Sequence, residues 1–263
     1  MPIIENEGVK IYWDEVGDGP PILLIMGLAY PSQMWHRTRP VLAERYRTIA
    51  FDNRGSGRSD VPPGPYSIEA MASDAAAVLD AADVRNAHVY GVSMGGMIAQ
   101  EFALQYPDRV RSLILGSTTA GVPKSVRASP EETLRLLERE QSTPNEAAEA
   151  AIPFIYDPGT SRERIDEDLA VRRDWLPRSD AYINQLMGVF EWDSHERLER
   201  ITAPTLVLHG ANDHLVPPSN AEFIAARIPN AKLVMIPNAS HIYSTDQPEA
   251  AHGALLEFLD SFR

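Results

Sequence analysis

The sequence has no cysteine among its 263 residues. Disulfide bonds, thiolate metal sites and cysteine nucleophiles are therefore excluded, and a reducing compartment is favoured. Long apolar runs are also missing, since the longest, PPILLIMGLAY, is far too short to cross a bilayer. The N-terminus lacks a basic segment followed by an apolar core, so no secretory signal is predicted. These absences predict a soluble, cytoplasmic protein.

Positive charge is scarce as well. Lys and Arg total 24 against 37 Asp and Glu, which gives a formal net charge of −13. A chain with this balance is not attracted over long distances to nucleic acid or to an anionic membrane. We therefore expect no nucleic-acid or membrane partner; a local basic pocket is compatible with this balance.

Short aliphatic runs alternate with stretches of helical periodicity along most of the chain. The runs IIEN and VKIYWDEV flank Glu7-Gly8 and predict a β-hairpin. Six later runs are almost continuously aliphatic, as parallel strands covered on both faces must be: residues 22–27, 48–52, 88–93, 112–117, 205–210 and 232–237. Helices are predicted over residues 33–46, 67–82, 94–106, 220–227 and 248–262. The alternation predicts an α/β fold with a mostly parallel, doubly wound sheet and an N-terminal antiparallel hairpin.

One long segment interrupts this alternation. Residues 121–198 show no strand pattern and contain charged amphipathic stretches such as SPEETLRLLERE. We predict a helical cap inserted into a core formed by residues 1–120 and 199–263. A substrate pocket beneath the cap is predicted to use Trp35 of the core and large apolar residues of the insertion: Phe154, Trp175, Met187 and Trp192. The alternative is that these apolar side chains only form the interior of the cap itself.

The stretch Gly91-Val92-Ser93-Met94-Gly95 lies where a predicted strand meets a predicted helix. A G-x-S-x-G pattern in this context is typical of a nucleophile elbow, a strained turn that exposes the serine oxygen. Glycines on both sides prevent side chains from colliding with such a tight turn. Without partners the pattern is weak, because a nucleophilic serine requires a base and the base requires an orienting acid.

The required partners follow Ser93 in the order acid, then histidine. Asp213 lies in the turn GANDHLVPP after one predicted strand, and His241 lies in the turn NASHIY after the next. Both turns are expected at the carboxyl edge of the sheet, where ligands bind in open α/β folds. We therefore predict a Ser93–His241–Asp213 triad. The other histidines, including His209, are interpreted as structural.

Nucleophilic attack at a carbonyl also requires donors for the developing negative oxygen. One donor is predicted to be the backbone N–H of Met94, directly after the nucleophile. The second is predicted to be the backbone N–H of Leu28, in the loop after the strand ILLIMG. A further loop, FDNRGSGRSD at residues 51–60, is interpreted as an ordered turn without a ligand, because it matches no phosphate-binding pattern.

These motifs together resemble the α/β-hydrolase fold superfamily: FDNRGSGRSD, GVSMGG, QYPDRV, APTLVLHGANDHLVPP and the closing histidine turn. The resemblance covers essentially the whole chain, and within the superfamily the chain is similar to the 3-oxoadipate enol-lactonase, small esterase and cofactor-free haloperoxidase group. It implies Ser93 as nucleophile, His241 as general base and then acid, and Asp213 as its orienting partner. It also implies a cap and no metal or organic cofactor.

Two positions depart from the pattern of these relatives. The usual His-Gly-x-Pro oxyanion loop is Met26-Gly27-Leu28-Ala29 here, so no histidine side chain can brace the loop from that position. Ser240 replaces the glycine that often precedes the catalytic histidine. Relatives with an aspartate nucleophile, such as haloalkane dehalogenases and epoxide hydrolases, are excluded by Ser93.

The resulting hypothesis is a serine hydrolase that cleaves a small carboxylic ester or lactone through an acyl-enzyme. The same triad also supports hydrolysis of a carbon–carbon bond in a diketone, or perhydrolysis with peroxide in place of water. A third alternative is a ligand receptor or signalling protein that retains a hydrolase site. The sequence leaves the acyl group, the leaving group and the oligomeric state open.

Overall fold

A computed structural model describes residues 2–130, 144–175 and 178–262. In these residues the chain forms an eight-stranded sheet with the order β1-β2-β4-β3-β5-β6-β7-β8. Its strands are β1 Ile3–Asn6, β2 Val9–Val16, β3 Pro21–Ile25, β4 Arg47–Phe51, β5 Ala87–Val92, β6 Val110–Gly116, β7 Thr205–Gly210 and β8 Lys232–Ile236. Pairing is antiparallel between β1 and β2 and between β2 and β4, and parallel between all other neighbours. The predicted hairpin and parallel sheet are confirmed.

The helices lie between the strands, as the periodicity predicts. They are α1 Arg39–Ala43, α2 Ile68–Ala81, α3 Met94–Gln105, α4 Pro144–Ile155, α5 Arg162–Arg173, α6 Ser179–Glu191, α7 Ser219–Arg227, α8 Tyr243–Asp246 and α9 Pro248–Asp260. The prediction of one helix over residues 33–46 is wrong. That stretch is a 3-10 turn, Ser32–His36, followed by α1, because Pro40 has no N–H to continue a helix from the preceding turn and sits instead near the start of a new one.

Both faces of the sheet are covered by helices, which explains the continuous apolar character of its strands. In β3, Leu23 and Ile25 pack into the cluster that contains the apolar faces of α2 and α3. Ile22 and Leu24 point to the opposite face and pack into the cluster that contains α9. Because alternate residues of a strand face opposite sides, a strand buried on both sides needs an apolar residue at every position.

The segment between β6 and β7 contains α4, α5 and α6 and no strand in its described part. Of the amphipathic stretch SPEETLRLLERE, residues 131–140 lie outside the described residues. Helix α6 packs closely on the core. A Cβ atom at Gly188 would collide with the carbonyl oxygen of Tyr66, so only glycine fits at this contact. This helix also receives a backbone hydrogen bond from the Tyr66 N–H to the Asn184 carbonyl at 3.1 Å.

His88, a buried histidine on β5, should make folding stability depend on pH. Burial, and secondarily the nearby Arg111, lower the pKa of His88 to about 4, whereas an unfolded histidine titrates near ~6.5. Between these pH values the unfolded chain binds a proton that the folded chain does not. The free energy of unfolding should therefore fall, by at most about 3 kcal/mol, as the pH drops from about 6.5 to about 4.

The variant His88→Phe should remove this part of the pH dependence. Urea unfolding of both proteins at several pH values from 7 to 4 measures it. His214→Gln is the matched control, because His214 is exposed. Equal slopes of unfolding free energy against pH in the wild type and His88→Phe would contradict a neutral, buried His88.

Candidate active site

Ser93 lies at the junction of β5 and α3 in a strained backbone conformation. Its φ is 75° and its ψ is −117°, in a region that side-chain-bearing residues rarely adopt. The flanking glycines are sterically required: a Cβ atom at Gly91 would collide with the Gly95 carbonyl, and one at Gly95 would collide with the Ile25 carbonyl. The turn therefore displays the Ser93 side chain at the carboxyl end of the sheet.

The peptide group that follows Ser93 is held firmly on its carbonyl side. The Ser93 carbonyl accepts hydrogen bonds from the Gly96 N–H at 2.9 Å and from the Thr118 hydroxyl at 2.7 Å. Because the peptide is planar and trans, its other end, the Met94 N–H, is directed the opposite way. A Cβ atom at Gly96 would approach the Thr118 Cβ to 2.6 Å, so this glycine leaves room for the threonine that fixes the peptide.

The structure brings the three predicted triad side chains together. His241 Nε2 lies 3.1 Å from Ser93 Oγ, and His241 Nδ1 lies 2.9 Å from Asp213 Oδ2. Asp213 follows β7, His241 follows β8, and Ser93 follows β5, so each lies beyond the carboxyl end of a parallel strand. The Ser117 hydroxyl donates to the carbonyl of His241 at 2.9 Å and fixes that turn. The geometry allows a proton to pass from Ser93 to His241.

Asp213 is fully buried, yet its surroundings favour the ionised carboxylate. Burial alone would raise the pKa of Asp213, but the interaction with His241 and the hydrogen bonds from His209 and His241 outweigh it. The pKa of Asp213 therefore lies well below its usual range. The Val216 N–H also donates to Asp213 Oδ1 at 2.8 Å. The carboxylate is thus ionised and held from two sides.

His209 has a contact that the sequence analysis missed. Its Nε2 lies 2.8 Å from the Val216 carbonyl and 3.3 Å from Asp213 Oδ2. Since only an N–H can bond to a carbonyl oxygen, Nε2 carries the hydrogen and directs it toward both acceptors. The i, i+4 spacing of His209 and Asp213 spans the end of β7 and its turn, where sequence spacing alone does not fix side-chain direction.

Of the two predicted oxyanion donors, Met94 directly follows the nucleophile and Leu28 belongs to the loop after β3. A Cβ atom at Gly27 would lie 3.1 Å from the Ser93 Cβ, so the loop after β3 runs directly against Ser93. Leu28 and Met94 both border the same cavity. In the described part of the chain, neither backbone N–H donates to a protein acceptor. Their role as oxyanion donors stays a prediction.

A cavity of about 300 Å³ opens beside Ser93 and His241. Its wall includes the predicted Trp35 and Phe154, together with Leu186, Val189 and Phe190 of α6. The last three are spaced i, i+3, i+4 and so form one stripe on the helix. No aspartate or glutamate borders the cavity among the residues that the structure describes. The space is therefore predominantly apolar around a polar reaction centre.

Three predicted pocket residues lie elsewhere, which corrects the prediction. Trp175 stacks against the guanidinium of Arg58, whose carbon lies 4.9 Å from the ring centroid. The Trp192 indole is buried and donates to Glu101 Oε2 at 2.8 Å. Met187 faces solvent and is 41% exposed, because it lies outside the α6 stripe that borders the cavity. Hydrophobic side chains of a helix reach a pocket only when the helix packing turns them toward it.

The described residues contain no group of three or more His, Asp or Glu side chains arranged to hold a metal ion. Among the same residues, no helix is both long enough and apolar enough to cross a membrane.

Comparison with known proteins places the chain in a family. A family model described as alpha/beta hydrolase fold matches residues 20–248. The chain is 34% identical over 261 residues to a putative carbamate hydrolase of Azorhizobium caulinodans, which covers 98% of both chains.

Two solved structures are similar over nearly their whole length. An enol-lactonase from Burkholderia xenovorans has a TM-score of 0.87 at 26% identity and covers 98% of this chain and 100% of its own. A thermophilic esterase from Thermogutta terrifontis has a TM-score of 0.84 at 32% identity, with 99% and 97% covered. The matched family model, the sheet order and these relatives agree, and the chain belongs to the α/β-hydrolase family.

Proposed function

We propose that the protein is a serine hydrolase that cleaves small carboxylic esters or lactones through an acyl-enzyme. One observation carries the proposal: the continuous chain of contacts from Ser93 Oγ through His241 to the buried Asp213, at 3.1 Å and 2.9 Å, beside an apolar cavity. The similarity to an enol-lactonase, an esterase and a putative carbamate hydrolase supports acyl transfer as the reaction class.

The proposed mechanism has two half-reactions. Ser93 Oγ attacks the substrate carbonyl carbon while His241 Nε2 accepts the hydroxyl proton, and the resulting oxyanion is stabilised by the N–H groups of Leu28 and Met94. Collapse of this intermediate breaks the bond to the leaving oxygen, which takes the proton from His241. Water then attacks the acyl-enzyme with His241 again as base, and the acid is released from Ser93. With a lactone, the leaving hydroxyl remains part of the acyl chain throughout, and the last step releases a single hydroxy acid.

The cavity wall supports a mainly aliphatic substrate without positive charge, since its only charged side chain among the described residues, apart from the catalytic histidine, is the cation Arg127. Several polar groups that border it are already paired within the protein. Asn220 exchanges hydrogen bonds with the backbone of Val126, and the Tyr243 hydroxyl lies 2.6 Å from the Tyr90 hydroxyl. Buried polar groups with satisfied partners leave apolar contacts as the main source of binding energy. A cationic substrate finds no carboxylate among the described residues of the wall.

The predicted cap has a role in this proposal. The insertion over residues 121–198 supplies part of the cavity wall through Phe154 of α4 and Leu186 of α6, and Met26 and Trp35 of the core supply another part. We assign substrate selection to this insertion and the chemistry to the core. Acyl-chain preference should therefore change on substitution of Phe154 or Leu186 without loss of the triad.

A substrate panel tests the reaction class. It contains p-nitrophenyl acetate, butyrate and octanoate, γ-butyrolactone, an aryl carbamate and a vinylogous diketone. We expect hydrolysis of esters or lactones, with kcat/KM higher for butyrate than for acetate because each buried methylene contributes about 0.8 kcal/mol. Faster cleavage of the diketone than of every ester would replace this proposal by carbon–carbon bond hydrolysis.

An isosteric pair tests the apolar wall. Butyrylcholine carries a quaternary ammonium, whereas 3,3-dimethylbutyl butyrate has the same shape without charge. We expect the neutral ester to have a kcat/KM about tenfold higher or more, since the cation must lose its hydration in a space without a carboxylate. Equal values for the two esters would contradict the assignment of a substrate without positive charge.

A further inference from the structure

The oxyanion loop of this chain lacks a histidine at Met26, so another group must hold it in place. The loop has an unusual backbone, because Ala29 adopts a positive φ of 63°. A side-chain-bearing residue keeps such a conformation only where its surroundings impose it. The restraint is visible at the Ala29 N–H, which donates to Gln185 Oε1 at 2.8 Å.

Gln185 lies on α6, in the insertion, and its side chain is completely buried. Its Nε2 donates to the Arg54 carbonyl at 2.7 Å and to Ser56 Oγ at 2.9 Å. The amide oxygen and both amide hydrogens are therefore used, and these partners fix the orientation of the amide. A fully satisfied buried amide holds its partners in one arrangement.

The two acceptors of the Gln185 Nε2, Arg54 and Ser56, belong to the loop FDNRGSGRSD, which also contacts the oxyanion loop directly. Asn53 Nδ2 donates to the Met26 carbonyl at 2.9 Å. Gly55 has a φ of 84°, and a Cβ atom there would lie 2.7 Å from the Tyr66 ring and 3.3 Å from the Ala181 Cβ on α6. This loop thus holds the oxyanion loop through the Asn53 hydrogen bond, and its Gly55 leaves space for α6.

We propose that Gln185 is a positioning residue for the oxyanion hole and takes the place of the missing histidine brace. The proposal rests on the proposed function, because it assigns Leu28 N–H to the oxyanion. The amide that Gln185 holds, Ala29 N–H, belongs to the peptide that follows Leu28, so the hydrogen bond restrains rotation next to the catalytic donor. Leu186 and Val189 of the same helix border the cavity. Contact of substrate with α6 and the order of the oxyanion loop are therefore linked.

A simpler role for Gln185 is to attach α6 to the core, and the two roles predict different kinetics. Loss of attachment lowers thermal stability or raises KM, because α6 forms part of the substrate wall. Loss of oxyanion positioning lowers kcat and leaves KM nearly unchanged, because the oxyanion exists only in the transition state. Binding of a transition-state analogue should weaken in parallel with kcat.

The test compares Gln185→Met with Trp192→Phe. Methionine has nearly the length of glutamine but cannot form the three hydrogen bonds. Trp192→Phe is the matched control, because it removes a buried hydrogen bond between the insertion and the core, from Trp192 Nε1 to Glu101, away from the cavity. Measurements are kcat and KM for p-nitrophenyl butyrate, Ki for butylboronic acid, and Tm.

We expect Gln185→Met to lower kcat about tenfold or more, a fraction of the 10²–10³-fold effect of deleting an oxyanion donor. Ki for butylboronic acid should rise by a similar factor, with KM changed less than about twofold. Trp192→Phe should leave kcat and Ki unchanged. Should Gln185→Met lower Tm with kcat and Ki unchanged, or change only KM, the positioning role is overturned.

A second variant covers the case in which Gln185→Met does not fold. Ser56→Ala removes one acceptor of the Gln185 amide and should lower kcat by a smaller factor, with no further effect in the Gln185→Met background if that protein folds. Hydrogen exchange at the Ala29 amide supplies a readout independent of catalysis. It should be faster in Gln185→Met or Ser56→Ala and unchanged in Trp192→Phe; unchanged exchange in the first two contradicts the brace. Absence of Ser93-dependent turnover in the wild type would instead refute the proposed function.

Discussion

Replacing Ser93 by alanine is expected to lower kcat by about 10⁵–10⁶-fold, as removal of the nucleophile does in other serine hydrolases. The physical reason is that the alanine cannot form the acyl-enzyme, and no other hydroxyl is described within contact of His241 Nε2. A residual rate above that of water should remain, because the oxyanion donors and the cavity still bind substrate. Turnover of the preferred ester measures the loss.

A covalent probe separates loss of the nucleophile from loss of the fold. Phenylmethylsulfonyl fluoride should add one sulfonyl group to the wild type, on the peptide that contains Ser93, and none to Ser93→Ala. Ser112→Ala is the matched control, since Ser112 is buried on β6 and lies 2.7 Å from His88 Nδ1, away from the cavity. Unchanged turnover in Ser93→Ala, or sulfonylation of another serine in the wild type, would refute the acyl-enzyme mechanism.

Replacing Asp213 by asparagine is expected to lower kcat by about 10³–10⁴-fold. In the wild type, Asp213 Oδ2 faces His241 Nδ1 and His209 Nε2, and Oδ1 accepts the Val216 N–H. All three partners present N–H groups, so an amide NH₂ has no position in which it meets only acceptors. If the NH₂ group faces His241, it donates to Nδ1 and places the imidazole hydrogen on Nε2, which then cannot accept the proton of Ser93. If the NH₂ group faces Val216, two N–H donors oppose each other. In either orientation the negative charge that stabilises the imidazolium is lost.

The control for this substitution is a second histidine–aspartate pair. Asp193 Oδ1 lies 2.9 Å from His195 Nδ1, and neither residue borders the cavity. Asp193→Asn should leave kcat within about twofold, since neither Asp193 nor His195 borders the cavity that holds the triad. If Asp213→Asn retained kcat within tenfold of the wild type, or if Asp193→Asn lost as much as Asp213→Asn, the assignment of the orienting acid would be wrong.

The framework of the site can be predicted from the order of residues along the chain. Parallel strands carry their carboxyl ends to one edge of a sheet, so a serine, an aspartate and a histidine placed just after three predicted strands were expected to meet there. Ser93, Asp213 and His241 do meet within hydrogen-bonding distance. The need for glycines around Ser93 can also be predicted, because only glycine tolerates the close approach of other backbone atoms that this strained turn imposes.

The direction of individual side chains cannot be predicted from the sequence in the same way. Trp175 and Met187 are large apolar residues of the kind expected in a pocket. Trp175 lies just after the end of α5 and stacks against Arg58, whereas the packing of α6 turns Met187 toward solvent. Leu186 and Val189 border the cavity with no distinguishing signal in the sequence. The sequence pattern of residues 51–60 predicts only an ordered turn without a ligand. The contact of this loop to the oxyanion loop through Asn53 appears only in the folded chain.

The sequence by itself therefore determined the sheet, the elbow and the three residues placed together at its edge, because strand periodicity and chain order fix those features locally. Tertiary structure alone decided what surrounds them. Gln185 lies 156 residues from Ala29 along the chain, and His209 reaches Asp213 across the end of a strand. Such contacts depend on how a helix of the insertion packs on the core and on which way each side chain turns, and neither is encoded in a local pattern of residues.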